Sequence, residues 1–588
     1  MSSILQTLRS ARFILVPAAL AACAAPARVP GASAEIAARV PAEWRHPIDV
    51  APAVGSRGMV ATDEELATRV GVDLLRSGGN AIDAAVATAF ALAVTLPSAG
   101  NIGGGGFIVA RMPDGTTAAL DFREAAPGAA TRDMYLDEQG EPTNASLIGH
   151  LASGVPGSVA GLWEAHRRFG SRPWAELVAP AIRLAGDGFV VREGLARAIA
   201  GQARRFREFE GSAALFLPGG EPLQAGTVWR NPDLAAVLTR IAERGPAGFY
   251  EGETADLIVA EMQRGGGIIT HEDLRSYRAK WREPVEFTYG GHRVISMPPP
   301  SSGGITIAQI AGMLEPYRLG SLGWHSADAV HLTGEAMKRA FADRNHYLGD
   351  PDFVNIPRAM LLSDAHAEER RASIRLDRAT PSGEVTPGLG ADREGTHTTH
   401  FSVVDGQGGA VALTTTINTG YGSRVVVAGA GFLLNNEMDD FAAKPGSPNG
   451  YGLVQGESNA IQPGKRMLSS MTPTIVLGAD GQPVLVTGAS GGPRIISAVW
   501  QIVSNVVDYG MDANAAVSAP RVHHQHLPDL LSLESDGFPP EVVEALRARG
   551  HELRTGGGVG VGASIVRRAG AWHGMADPRA SAGFALGY

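Results

Sequence analysis

The run Thr396-His397-Thr398-Thr399-His400-Phe401-Ser402-Val403-Val404-Asp405 constrains this chain more than any other segment. A cluster of hydroxyl residues leads directly into a stretch patterned as a β-strand. A threonine hydroxyl is a poor nucleophile unless a base sits beside it. Cutting the chain just before the threonine supplies that base, because the freed α-amine can take the proton. The surroundings of Thr398 read as such a site. On that reading the chain is a precursor that cuts itself, and its new N-terminus, at the head of a strand, is the catalyst.

The chain has 588 residues, 44% of them hydrophobic, enough for a large core and too many for one small domain. A net charge of −9 gives no basic footprint for nucleic acid. Arg9 and Arg12 precede an apolar run from Phe13 to Ala22 that is interrupted by Pro17. This run is short for a bilayer span and fits a signal segment over residues 1–22. It ends Leu20-Ala21-Ala22-Cys23, similar to the lipobox of bacterial lipoproteins. Cys23 is the sole cysteine, so it forms no intramolecular disulfide. Cleavage before Cys23 and lipidation of its thiol would tether the protein to a membrane of the bacterial envelope. The plainer reading is a secretory signal cut near Ala25. Residues 23–45, rich in Ala, Pro and Arg, read as a linker.

Val60 to Gly79 carries a helical period, with Thr62 as its cap and Gly78-Gly79 as its stop. Asn80 to Leu96 reads as a second, buried helix. Asn101 to Gly106 then opens a strand, and Pro113-Asp114-Gly115 turns it into a hairpin with Thr117 to Arg123. Residues 155–275 read as mostly helical, and Pro284 to Met297 as a hairpin about Gly290-Gly291. The polar, glycine-rich stretch 380–396 reads as an exposed loop. Two further hairpins follow, one from Thr399 and one over Thr474 to Thr487, and then a helix from Arg494 to Tyr509. Helices alternating with antiparallel hairpins give a layered α+β class.

Several constellations compete for function. Gly103 to Gly106 lacks the Lys-Ser or Lys-Thr of a phosphate loop and opens a strand, not a helix, so it reads as close backbone packing. Gly488-Ala489-Ser490-Gly491-Gly492 matches the G-x-S-x-G nucleophile elbow, with Asp508 or Asp512 and His523, His524 or His526 available for a triad. The same glycines, at a helix start, also read as an oxyanion hole. The histidines match no zinc spacing, and no metal or other cofactor is expected. Asn435 to Asp440 reads either as a polar loop or as a pocket for a cationic amine. Ser469-Ser470 and Arg123 can hold a carboxylate, the arginine by its planar fork. A pocket that holds both charges is an amino-acid pocket, although spacing alone does not join its parts.

Ordered motifs along nearly the whole chain resemble the γ-glutamyltransferase family of N-terminal-nucleophile hydrolases. They are Gly78 to Ala85, Gly103 to Phe107, Asp121 to Glu124, Pro300 to Gly304, Asp343-Arg344 with Gly349 to Pro351, Thr398 to Val403, Leu434 to Phe441, Leu468 to Thr474, and Gly491-Gly492. The resemblance implies a four-layer αββα sandwich built jointly by two fragments, residues 46–397 and 398–588, that remain a heterodimer. It implies cleavage between His397 and Thr398, Thr398 rather than Thr396 or Thr399 as nucleophile, and Thr416 as the residue that orients it. Gly491 and Gly492 match the oxyanion donors. Arg123, Ser469 and Ser470 match the α-carboxylate contacts of a γ-glutamyl donor such as glutathione. Asn418, Glu437 and Asp440 match the α-amino contacts, and Tyr451 the lid tyrosine. The acyl group would pass to water, an amino acid or a peptide. Arg424 departs from the pattern, standing where a glycine is common. Relatives also include acylases for glutaryl side chains of β-lactams. Two other readings remain beside this one: a serine hydrolase using Ser490, and a non-enzymatic envelope binding protein.

Overall fold

The computed structural model describes residues 36, 39–385 and 398–588. The signal segment, Cys23, Thr396 and His397 lie outside the described residues, as does most of the expected loop at 380–396. Among the described residues no helix is long and apolar enough to cross a membrane. Trp44, near the end of the expected linker, is buried and donates its indole N–H to the Ser518 carbonyl (3.1 Å).

Two antiparallel sheets carry the fold. Their strands in chain order are β1 (Ala53–Gly55), β2 (Met59–Thr62), β3 (Gly105–Arg111), β4 (Thr117–Phe122), β5 (Lys280–Arg282), β6 (Val285–Tyr289), β7 (His292–Ser296), β8 (Thr398–Val404), β9 (Ala410–Thr416), β10 (Thr474–Leu477), β11 (Pro483–Thr487), β12 (Ala489–Ser490), β13 (Val561–Arg568), β14 (Ala571–Ala576) and β15 (Phe584–Gly587). The first sheet runs β15-β2-β8-β9-β3-β4-β5. The second runs β1-β14-β13-β11-β10-β7-β6, with β12 beside β13. Both sheets interleave strands from before and after residue 397. β8 lies between β2 and β9, in the interior of the first sheet.

Side chains alternate across a strand, and the cores follow that alternation. In β3, Ile108 and Ala110 join one core, and Phe107 and Val109 the other. The first core packs the outer face of the first sheet against helices α1 (Glu65–Arg76), α2 (Ala81–Thr95), α3 (Trp174–Gly186) and α4 (Pro232–Arg244). The second core fills the space between the sheets. It continues under α5 (Gly303–Leu314), α6 (Ala327–Tyr347) and α7 (Arg494–Val507) on the far side. The result is helix, sheet, sheet, helix, the expected αββα order. α2 is buried on every side. It starts from a capping box in which Asn80 accepts from the Asp83 amide and Asp83 accepts from the Asn80 amide.

The hairpins expected at Pro113 to Gly115, Gly290-Gly291, from Thr399 and over 474–487 all form. The mostly helical middle also forms, with one two-stranded ribbon inside it. The helix expected from Val60 starts later. Residues 59–62 are β2, because their backbone pairs with β8 on one side and β15 on the other. Two ladders outweigh a helical period that three residues barely define. Thr62 is therefore not the cap. Glu64 is, its carboxylate accepting from the Ala67 amide (2.9 Å). Gly78, at φ 91°, ends the chain's turn out of α1 as expected.

Phe401 in β8 is fully buried against the helix layer. Truncation to alanine leaves a cavity there, and Phe401→Ala is expected to destabilise the protein by about 3–5 kcal/mol in a denaturant titration.

Candidate active site

Period-two alternation sets the direction of every side chain at the head of β8. Phe401 and Val403 face the helices. Ser402 faces the second sheet, its hydroxyl near the carbonyls of Val486 (3.1 Å) and Ala563 (2.9 Å). Thr398 and His400 share the Ser402 face. Thr399 turns the other way and donates to Asp63 (2.9 Å). Of the two threonines at this strand head, only Thr398 therefore enters the space between the sheets. Thr398 pairs in register with Thr416, with hydroxyl oxygens 3.4 Å apart. Thr416 in turn accepts from the Asn418 amide (2.7 Å).

One cavity gathers Thr398, Thr416, Asn418, Arg123, Arg344, Glu437, Asp440, Tyr451, Ser469, Ser470 and Gly492. Its free space is about 20 Å³, room for about one water. Two features fill it. Arg123 forms ion pairs with Glu437 and Asp440 at its centre. Tyr451 folds over it and donates to the Asn418 carbonyl (3.1 Å). Ser470 meets a second guanidinium, that of Arg344 (3.0 Å), which also donates to Ser302 (3.0 Å).

Charge in this cavity is dense. Burial opposes the Arg123 charge, but Glu437, Asp440 and Glu124 outweigh it and hold the guanidinium above its ordinary range. Burial raises Glu437 and Asp440, with Arg123 pulling against it, and pushes Glu124 up to about 7. Among the described residues neither Glu124 oxygen has a hydrogen-bond partner. Burial lowers Arg344 to about 10, with Asp440 opposing. Arg344 is thus still charged at neutral pH.

Gly491 and Gly492 lie just before α7 at φ 132° and φ 56°. A side chain on Gly491 would meet the Gly560 Cα at 2.9 Å. Among the described residues no protein acceptor takes either glycine's N–H. Two unpaired amides at a helix start, one on the cavity wall, form a place for negative charge.

A γ-glutamyltranspeptidase family model matches residues 67–587. The glutathione hydrolase proenzyme of Escherichia coli (strain K12) is 48% identical over 540 residues, covering 91% of this chain and 93% of that protein. The chain belongs to the γ-glutamyltranspeptidase family. Its fold is similar to that of cephalosporin acylase from Bacillus halodurans, with a TM-score of 0.81 and 30% identity over 93% of this chain and 99% of that one. Helicobacter pylori γ-glutamyltranspeptidase is similar over 56% of this chain and 95% of its own, with a TM-score of 0.54 and 44% identity.

Every residue singled out for a γ-glutamyltranspeptidase pocket within the described chain lies in or beside this one cavity. The pairing inside it differs from the expected grouping. Arg123 meets the two carboxylates, and Arg344 meets Ser470. Sequence reasoning gave Arg344 no role, though an arginine in α6, a helix buried from Ala329 to Asn345, is a signal of a polar interior. The Ser490 triad does not assemble. His523 meets Ser497 (2.8 Å) and Gln525 (2.9 Å), and His524 meets Asp529 (3.3 Å). His526 faces the carbonyls of Ser382 and Val385 (each 3.1 Å). Asp508 accepts from Tyr289 (2.8 Å), and Asp512 caps a helix. The elbow sequence here builds a glycine turn, with Ser490 paired in β12.

His400 sits between Thr414 (2.8 Å) and Ser402 (3.1 Å), and burial lowers its pKa from 6.5 to about 3. As pH falls through that window, the unfolded chain takes up a proton that the folded protein refuses. Stability contributed by neutral His400 is therefore present above the window and lost below it. His400→Gln is expected to flatten the slope of unfolding free energy against pH within the window by about 1.4 kcal/mol per pH unit, read from urea titrations.

Proposed function

We propose that this chain is a self-cleaving γ-glutamyltransferase and glutathione hydrolase. The observation that carries the reading is one cavity holding the Thr398 hydroxyl at a strand head beside Arg123, Glu437 and Asp440. In the precursor, the Thr398 hydroxyl attacks the His397 carbonyl carbon. The C–N bond breaks, an ester forms, and water hydrolyses it to a His397 carboxylate and a free Thr398 amine. That amine, with a reference pKa of about 7.7–8.0, then serves as base near neutral pH. Residues 46–397 and 398–588 stay together because both sheets draw strands from each.

In turnover, the Thr398 hydroxyl attacks the γ-carbonyl of a γ-glutamyl amide and gives its proton to the α-amine. Negative charge on the carbonyl oxygen meets the Gly491 and Gly492 amides. The amine passes the proton to the leaving nitrogen, and a γ-glutamyl ester of Thr398 remains. Water or the amino group of an amino acid or peptide then repeats the cycle in reverse. Thr416 orients the nucleophile. The donor's α-carboxylate lies with Arg123, Ser469 and Ser470, and its α-ammonium with Asn418, Glu437 and Asp440. Binding separates Arg123 from its two carboxylates and supplies each with a new partner of opposite charge. A glutaryl side chain lacks the ammonium, so the acids of this pocket favour an amino-acid donor over the acylase substrate. Tyr451 leaves the cavity to admit the donor and returns to cover it. Cys23 anchors the exported protein to a membrane of the envelope through lipid.

Turnover of glutathione by Thr398→Ala and Ser490→Ala tests the assignment. The first is expected to lose essentially all activity. The second is expected to keep it within about tenfold, since Ser490 supplies only a strand position. An active Thr398→Ala beside an inactive but folded Ser490→Ala would overturn the reading.

A further inference from the structure

One guanidinium near the cavity has no part in the scheme above. Arg424 follows the turn 419–423, and its backbone is in the left-handed region at φ 68°, where glycine is the favoured residue. Its Nη1 donates to the Thr419 hydroxyl (2.8 Å) and to the Gly422 carbonyl, and its Nε to Gln202 (3.3 Å). These partners are all neutral. Among the described residues no carboxylate pairs with Arg424, and the charged group acting on it is a second cation, Arg205. Arg205 is satisfied by Glu208 (3.2 Å). Burial lowers Arg424 to about 10, so it remains charged at neutral pH. A half-buried guanidinium held only by neutral oxygens is short of an anion.

Its position specifies which anion. Thr416, beside the nucleophile, leads through Asn418 to Thr419, the residue that Arg424 grips. Three residues span at most about 10 Å. Tyr451 rests on the Asn418 carbonyl in the same stretch, so Arg424 stands beside the lid, outside the Arg123 pocket. With the γ-glutamyl group in that inner pocket and Tyr451 as its cover, the Tyr451 side that admits the donor would also carry whatever is attached to the γ-carbonyl past this stretch. A dipeptide attached there carries its terminal carboxylate about 7 Å from the scissile amide, a length suited to the reach of an arginine from this turn.

We propose that Arg424 is the specificity residue for a carboxylate at the far end of the leaving group and of the acceptor. It pairs with the terminal carboxylate of a dipeptide leaving group, or of an incoming amino acid or peptide, by its planar fork. The proposal rests on the γ-glutamyl reading of the inner pocket and adds to it an outer subsite for the opposite end of the substrate.

The test compares two donors, glutathione and glutathione amidated at its glycine carboxylate. They differ only in the charge that Arg424 would meet. Wild-type processed enzyme is expected to prefer the acid, by kcat/KM, by about tenfold or more, the worth of a charge-assisted hydrogen bond. Arg424→Gln is expected to bring the ratio near one, and Arg424→Lys to restore part of it. A residue that merely braces the turn would lower both donors alike and leave the ratio unchanged in Arg424→Gln, which would overturn the proposal. Wild-type enzyme that treats the two donors equally would overturn it with no variant needed. Wild-type enzyme that turns over neither donor would defeat the γ-glutamyl reading itself, a distinct outcome that removes the subsite with it.

Discussion

The pairing of Thr398 with Thr416 across β8 and β9 is the contact on which the rest depends. It fixes which threonine of a polar run faces the space between the sheets, and it ties that residue to β9 at the terminal pair of the ladder. Because β8 is bounded by β2 and β9, a chain break before Thr398 leaves the strand in place. The sheet hydrogen bonds are made by residues on either side of the break, and so is the core between the sheets. A new N-terminus is usually the most mobile part of a protein. In a chain cut before Thr398, the pairing with Thr416 would make the new N-terminus a fixed group.

Around that fixed point the cavity concentrates charge in a way that a folded protein tolerates only with mutual compensation. Glu124, Glu437 and Asp440 surround Arg123, and Arg344 stands behind Ser470. Arg123 compensates Glu437 and Asp440 by direct ion pairs, while Glu124 stands 3.8 Å away from it. A zwitterionic amino-acid group brings one charge for each side and keeps the sum unchanged. The same balance opposes a ligand with a carboxylate and no ammonium, since it would free Arg123 from its acids and leave those acids without a replacement. In the proposed reading, selectivity on the inner side would follow from this charge balance in a buried pocket. Outside that pocket, among the described residues, Arg424 has neutral hydrogen-bond partners only.

Much of this was legible in the sequence, for physical reasons that differ from place to place. β8 and β9 announce themselves as a hairpin from Thr399, and α2 by an apolar run, interrupted only by Asp83 and Thr88 before Thr95, behind the capping residue Asn80. Val60 to Thr62 misled because three residues fit a helix and a strand equally well, and pairing with distant β15 decided between them. The Ser490 elbow misled because the motif specifies a strand, a turn and a helix but not the histidine and carboxylate that must meet it. Those groups are engaged by Ser497, Asp529 and Tyr289, residues far apart in the chain. Arg344 was hidden for the opposite reason. It lies on a long helix, and only the tertiary packing of α6 shows that its charge faces Ser470. The cavity as a whole draws on residues from 123 to 495, and no local pattern brings such positions together.

The most direct measurement is intact mass, with N-terminal sequencing, of the purified wild-type protein. Two fragments are expected, the smaller comprising residues 398–588 with threonine at its N-terminus. A single uncut chain that is folded and turns over glutathione would contradict the amine-base mechanism and the role of Thr398 built on it.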